Sequence, residues 1–319
     1  MLKVGLLGVG YLGKIHLGLL TGLENIQLMG FYDTDSQICS ELELKYQLPH
    51  FAQSIDLINQ CDALVIAVPT AAHFEYVKTC IQLGKHVFVE KPVTANVEEA
   101  YQLKEVLKGT SIVLQIGMVE RFNPAFVATQ PFVGPLTRIY SNRLAPFTPR
   151  GADVSVVFDV MIHDLDIVLS LVKSEIKKIT AFGEKIISST FDVSTAVVEF
   201  EDGTVAHFTA SRMAERKYRL LELFQEERIY QVDFLNKKTL EFRLRKQPEG
   251  SIREAYLART AGVLEENELS IKDTNAIEEE LKSFADSILN NKKVVVSLDD
   301  GIRAMELAAK IEAEMNHQN

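Results

Sequence analysis

The chain has 319 residues, enough for about two domains and a large buried core. Its 47% hydrophobic and 24% charged residues are an ordinary globular balance and exclude wholesale disorder. Lys and Arg number 34 against 44 Asp and Glu, a formal charge of −10 without a basic tract, so no nucleic acid and no anionic membrane is expected as a partner.

Val4–Leu7 is a short apolar run that predicts a buried strand. It leads into Gly8-x-Gly10-x-x-Gly13, and Ile15, Leu17, Leu19 and Leu20 follow with helical spacing. In such a turn Gly8 makes the bend, Gly10 admits a pyrophosphate and Gly13 lets helix and strand pack closely, with Tyr11 and Leu12 in the same cofactor loop. The helix N-terminus offers N–H groups to the phosphates. A second strand, Ile26–Tyr32, ends at Asp33, 20 residues beyond Gly13, where a carboxylate takes the ribose hydroxyls of NAD. No Arg follows in Thr34-Asp35-Ser36 to neutralise a 2′-phosphate, so the cofactor is expected to be NAD rather than NADP. Lys3 and the apolar residues through Leu23 loosely match a secretory signal. Lys14 and His16 break its core and no small-residue cleavage site follows, so the chain is expected in the cytoplasm.

Downstream, helical patterns around 38–44 and 54–59 precede Ala63–Val68, a β-rich run typical of a parallel strand buried on both faces. Pro69-Thr70 stops it, a helix over about 71–83 follows, and the strand 85–89 ends at Glu90-Lys91-Pro92. Thr94-Ala95-Asn96 opens a helix running to Gly109, and 112–116 is a further strand. This alternation predicts a Rossmann-type doubly wound parallel sheet over residues 1–120. Ligands bind such sheets outside the strands' carboxyl ends, where the turns at 8–13, Pro69-Thr70 and Glu90-Lys91-Pro92 all fall. Lys91 there either faces solvent or points into the crevice, where it would hydrogen-bond a substrate hydroxyl. Cys39, Cys61 and Cys80 are odd in number and form no Cys-x-x-Cys, so reduced thiols are expected, with no disulfide framework and no metal site.

From about Gly134 the alternation stops. One helix is predicted between Asp153 and Val172, then strands at 176–187, 193–200, 204–212, 218–224, 228–235 and 239–245. Glu201-Asp202-Gly203 and Asn236-Lys237-Lys238 favour hairpins, so residues 121–319 read as an α+β domain with a large, open, mostly antiparallel sheet. Tyr218–Phe224 is apolar at odd and even positions, which calls for a second cover: another subunit in a dimer or tetramer, or a helix of the same chain. Residues 246–272 read as a polar loop, and helices at about 275–290 and 299–316 close the chain, the last one packing back on the first domain.

Asp159-x-x-x-His163-x-x-Asp166 lies in the predicted helix, with Asp159 and His163 on one face at i and i+4. A carboxylate beside an imidazole orients it and raises its basicity, which suits a general base for an alcohol proton; a salt-bridged helix face has the same spacing.

Gly8-x-Gly10-x-x-Gly13-x-x-His16, Val68-Pro69-Thr70-x-x-His73, Gly84–Pro92, Arg121-Phe122-Asn123-Pro124 and the Asp159/His163 pair together resemble the Gfo/Idh/MocA family of NAD(P)-dependent sugar and polyol oxidoreductases. The resemblance implies a substrate held between the two domains and hydride transfer at a secondary alcohol. It implies Lys91 as catalytic lysine, His163 as base and Asp159 as its partner, with Arg121 lining the nicotinamide end of the pocket. Pro69, Thr70, His73 and Glu90 join the cofactor site and Asn123 the substrate site. Val119–Ala125 and Asp159–Asp166 are similar to the branch that contains UDP-N-acetylglucosamine 3-dehydrogenases, in which Arg143 and Arg150 would meet a diphosphate. Three other readings share these motifs: a polyol dehydrogenase, an oxidoreductase of imines or biliverdin-like substrates, and a non-catalytic dinucleotide sensor. Intact Lys91, Asp159 and His163 argue against the sensor.

Overall fold

A computed structural model describes residues 1–149, 151–244 and 264–318. The chain divides into two compact units, 1–122 with 275–306, and 123–274 with 307–319. The expected boundary at 120/121 lies two residues from the first break. The expectation that 121–319 forms one domain is corrected, because 275–306 belongs to the first unit.

The first unit holds a five-stranded parallel sheet in the order β2-β1-β3-β4-β5. Its strands are β1 (Leu2–Leu7), β2 (Ile26–Tyr32), β3 (Ala63–Ile66), β4 (His86–Glu90) and β5 (Leu114–Gly117). Every residue of β3 and β5 is buried, as a sheet covered on both faces requires. Between the strands run α1 (Tyr11–Leu20), α2 (Ser36–Tyr46), α3 (Ser54–Gln60), α4 (His73–Gln82) and α5 (Val97–Leu107). Two helices start where side chains cap them: the Asp35 carboxylate accepts from the N–H groups of Gln37 and Ile38, and Asn96 accepts from Glu99. The helix Ala276–Leu289 packs Leu281, Phe284 and Ala285 into the same apolar core as Val4, Leu6, Leu17, Phe31 and Phe88. Each such side chain contributes roughly 1.5–3 kcal/mol on burial. The order in which strands are added reverses at β1, because β2 lies on one side of it and β3 on the other.

The second unit is built on a sheet with the described order β13-β12-β11-β10-β6-β9-β8-β7. The strands are β6 (Arg138–Leu144), β7 (Ile176–Glu184), β8 (Val193–Phe200), β9 (Val205–Ser211), β10 (Tyr218–Phe224), β11 (Arg228–Asp233), β12 (Lys238–Leu244) and β13 (Leu264–Glu268). All neighbours pair antiparallel except β6 and β9, which are parallel. The expected hairpins are present: Gly203 has φ +89 between β8 and β9, and Lys237 has φ 52 between β11 and β12. One face of the sheet packs α6 (Pro124–Thr129), α7 (Ile162–Leu171) and the end of the C-terminal helix Leu298–Gln318, through Phe126, Leu165, Val168, Ile311 and Met315.

Two strands depart from expectation. The inward positions of β6 are Ile139, Ser141 and Arg143, so its period-2 apolar signal is missing although all three are buried. β13 replaces the end of the expected loop 246–272. It is Leu-Glu-Glu-Asn-Glu, a charged edge strand with no apolar alternation. Residues 245–263 of that expected loop lie outside the described residues. In β10, Leu221 and Leu223 are fully buried, while Leu220, Glu222 and Phe224 on the other face are half-buried.

Candidate active site

In the first unit the carboxyl ends of β1, β3 and β4 meet. A Cβ on Gly8, whose φ is +89, would come within 2.7 Å of the Ala67 carbonyl and the Val68 nitrogen. Only a glycine lets the turn after β1 lie on the loop after β3. A Cβ on Gly13 would sit 2.0 Å from the Gly8 oxygen, so α1 seats against the turn through a missing side chain. A Cβ on Gly10 would meet nothing within 4 Å, which leaves its backbone open to a ligand. No side chain caps α1 at Gly10, and Tyr11 and Leu12 begin the helix.

Asp33, at the end of β2, accepts from the Val9 N–H at 2.7 Å and from the Asp35 N–H at 3.1 Å. Both donors are backbone groups, so the carboxylate is fixed beside the glycine turn with its charge uncompensated. An open glycine cradle, an uncapped helix end and an anchored carboxylate fit an NAD pyrophosphate and ribose. Pro69 and Thr70 begin the short turn that leads into α4.

Glu90, Lys91 and Pro92 follow β4, with Lys91 half-buried. His73 is not placed as a direct cofactor ligand. It is 1% exposed, and both its ring nitrogens face carbonyls, Nδ1 that of Pro92 and Nε2 that of Val68, each at 2.9 Å. Burial pushes this imidazole toward its neutral form, against the pull of the two carbonyls. His16, on α1, is also 1% exposed, and its Nε2 lies 2.6 Å from Glu90 Oε1. Among these residues His16 is the one whose role the motif alone did not reveal. Its signal was a buried-face histidine three residues beyond Gly13.

Arg121, in the first unit, lies 3.8 Å from Asp300 through Nη2 and has its side chain almost wholly buried. Asn123, in the second unit, is a fold residue: its Oδ1 caps α6 by accepting from Ala125, and its Nδ2 donates to the Phe234 carbonyl. Arg143 is likewise committed within the unit. It is 3% exposed, and its Nε and Nη2 donate to the two oxygens of Asp164 on α7, both at 2.8 Å. The guanidinium fork that was to hold a diphosphate is filled by a carboxylate of the same unit. Arg150 lies outside the described residues.

Asp159 stands in a π-helical segment, Val157–Met161, that runs directly into α7, where His163 is the second residue. Ser155 starts the segment by accepting from the Val157 N–H. The wider winding keeps residues four apart near one face, and such π turns recur at functional sites. Both side chains are half-buried, whereas Asp164, Leu165 and Asp166 are buried. Asp159 Oδ2 also packs beside Gly151, where a Cβ would come within 3.1 Å of it.

Cys61 and Cys80 are buried free thiols that desolvation pushes up to about 12, and Cys39 is buried as well, so these are inert core groups. Among the described residues no helix is long and apolar enough to cross a membrane.

A parallel sheet with a glycine cradle, an anchored acid and a lysine at its carboxyl edge defines a dinucleotide-binding oxidoreductase. Residues 2–118 match the family described as oxidoreductase family, NAD-binding Rossmann fold, and residues 136–231 match the GFO/IDH/MocA C-terminal domain. The chain is 34% identical over 236 residues to UDP-N-acetylglucosamine 3-dehydrogenase of Acidithiobacillus ferrooxidans, covering 74% of this chain and 75% of that protein. A solved structure of that enzyme superposes with a TM-score of 0.90 at 27% identity, covering 99% and 98% of the two chains. Myo-inositol 2-dehydrogenase of Thermotoga maritima is 26% identical over 330 residues, 96% of this chain and 94% of that one. The chain belongs to the Gfo/Idh/MocA family. It is an NAD-binding oxidoreductase, a dehydrogenase of the sugar-alcohol class.

Proposed function

We propose that this enzyme oxidises a secondary hydroxyl of a nucleotide-linked sugar, the 3-hydroxyl of UDP-N-acetylglucosamine being the substrate of first choice. The observation that carries the reading is the 34% identity to an enzyme of that name over 74% of the chain, against 26% to an inositol dehydrogenase. NAD, held by the Gly8–Gly13 turn and Asp33, supplies the hydride acceptor. His163 takes the hydroxyl proton as the carbon is oxidised to a ketone, and Asp159 orients the imidazole and stabilises its charged form. Lys91 is the hydrogen-bond donor that stabilises negative charge developing on the substrate. The enzyme works in the cytoplasm as a homo-oligomer. Its subunits join over the half-buried outer sheet face where Tyr140 stacks on His207 at 4.7 Å beside Phe224.

The test is NADH absorbance at pH 8–9 with UDP-N-acetylglucosamine, UDP-glucose, myo-inositol and glucose, each with NAD and with NADP. A second series adds 2-oxoglutarate to recycle retained cofactor. Turnover with UDP-N-acetylglucosamine and not with myo-inositol is expected. The reverse preference returns the chain to polyol chemistry. Sedimentation velocity of wild type and Tyr140→Arg reads the assembly; a monomeric wild type removes the subunit proposal.

A further inference from the structure

The two neighbours of Lys91, Glu90 and Pro92, are each met by a buried histidine on a different helix. On the N-terminal side, His16 of α1 meets the Glu90 carboxylate at 2.6 Å. Among the described residues His16 Nδ1 has no hydrogen-bond partner, so the whole polar interaction of this ring is with Glu90. Phe88 closes edge-on against the imidazole at 5.6 Å. Glu90 pairs in register with Gly117 of β5, where a Cβ would lie 3.0 Å from Glu90 Oε2. The carboxylate is thus held between α1 and a bare stretch of strand. On the C-terminal side, His73 Nδ1 lies 2.9 Å from the Pro92 carbonyl. Its other contact, to Val68, joins residues only five apart, whereas the Pro92 contact joins two loops after different strands.

A lysine side chain has about 2 kcal/mol of rotamer entropy and needs its backbone fixed if its ammonium is to meet one oxygen. The strand ends at Glu90, and Pro92 restricts the backbone of Lys91 without tying it to the rest of the unit. We propose that His16 and His73 are positioning residues that hold the chain on either side of Lys91 like a clamp, through the Glu90 carboxylate and through the Pro92 carbonyl, and so aim the lysine at the substrate hydroxyl. This rests on the catalytic reading of Lys91. Neither histidine touches the substrate.

The two ring nitrogens allow a directed test. Glutamine places an amide N–H near the position of histidine Nε2, and asparagine near that of Nδ1. His16→Gln therefore keeps the bond to Glu90. His73→Asn keeps the bond to Pro92, while His73→Gln keeps only the one to Val68. Each variant is assayed as holoenzyme with UDP-N-acetylglucosamine and NAD, with Lys91→Ala alongside. Calorimetry gives the NAD dissociation constant, and thermal unfolding reports the fold.

Misplacing a reacting group by an ångström costs about 100-fold, so His16→Ala and His73→Gln are expected to lose about 10–100-fold in kcat with KM and NAD affinity within about twofold. His16→Gln and His73→Asn recover most of that loss. In the free wild-type enzyme, 15N spectra of labelled histidine show protons on His16 Nε2 and His73 Nδ1. His73→Gln outperforming His73→Asn overturns the clamp, as does an unprotonated His73 Nδ1. If Lys91→Ala is inactive while every histidine variant turns over like wild type, the clamp falls and the role of Lys91 stands. Turnover surviving in Lys91→Ala removes the catalytic reading itself.

Discussion

The parallel sheet of the first unit and the large sheet of the second treat buried charge in opposite ways. At the edge of the parallel sheet His16 meets Glu90 side chain to side chain, but Asp33 accepts from backbone, the N–H groups of Val9 and Asp35. A neutral peptide group orients a charge without cancelling it, so the charge remains available to a ligand. Within the second unit, buried charge meets opposite charge: Arg143 with Asp164, and Arg212 with Asp192, which backbone N–H groups hold as well. These groups cancel one another inside the fold. The half-buried Asp159 and His163 stand outside that pattern, on a π-wound segment and the first turn of the helix it leads into.

Two substitutions within the second unit set the comparison at its sharpest. His163→Ala is expected to lower kcat about 10²–10⁴-fold, the usual loss for a general base, with urea unfolding unchanged. Arg143→Ala, on the neighbouring strand, is expected to do the reverse. It strands a buried Asp164 charge and lowers stability by about 3–5 kcal/mol, while the fraction that folds keeps its KM. Urea melts and steady-state kinetics on both variants separate the roles. A stable Arg143→Ala protein with a raised KM for the nucleotide sugar would restore the arginine to the substrate.

That pair also shows where the sequence is legible. The first unit could be read almost strand by strand, because β1 and β3 carry short apolar runs that lead into a glycine and a proline turn. The residues expected at the cofactor lie in or beside such turns. Arg143 could not be read the same way. In sequence it is a charged residue in Arg138-Ile-Tyr-Ser-Asn-Arg-Leu144, a segment without apolar alternation. Only the pairing of β6 between β9 and β10 turns it inward toward Asp164, 21 residues away. Asn123 is ambiguous in sequence for a related reason: one amide can serve a ligand or cap a helix, and only the fold brings Phe234 near it. The attachment of 275–306 to the first unit is likewise a matter of packing, since Leu281 and Phe284 would suit any apolar core.

Asp33 tests the other half of the comparison. If its charge is kept for a ligand, Asp33→Ala should weaken NAD about 10–100-fold, the worth of a charged hydrogen bond, and leave NADP little changed. The Val9 N–H loses its acceptor in the same variant. Asp33→Asn retains an oxygen for that N–H and separates turn geometry from ribose recognition. Titration calorimetry with both cofactors reads the outcome. Equal losses for NAD and NADP would mean that Asp33 serves only the turn.

The smallest effect expected is at Asp192, where a buried charge is held by backbone and side chain together. Burial alone would raise its carboxyl. The Ser188 hydroxyl and the N–H groups of Ser188, Ile187 and Ile186 outweigh that and hold it well below the usual carboxylate range, with Arg212 at 3.5 Å. A folded-state pKa below the unfolded one stabilises the fold fully above the unfolded value of about 3.9, and that contribution is lost as acid carries the pH down toward the depressed value. Asp192→Ala should therefore cost about 1–3 kcal/mol at pH 7, with the gap to wild type closing as the pH falls from about 5 toward 2. Kinetics at pH 7 should stay near wild type, because the groups involved anchor the turn between β7 and β8. A gap that stays constant with pH would assign the loss to packing alone, and a fall in kcat would mean that charge buried in the second sheet reaches the chemistry after all.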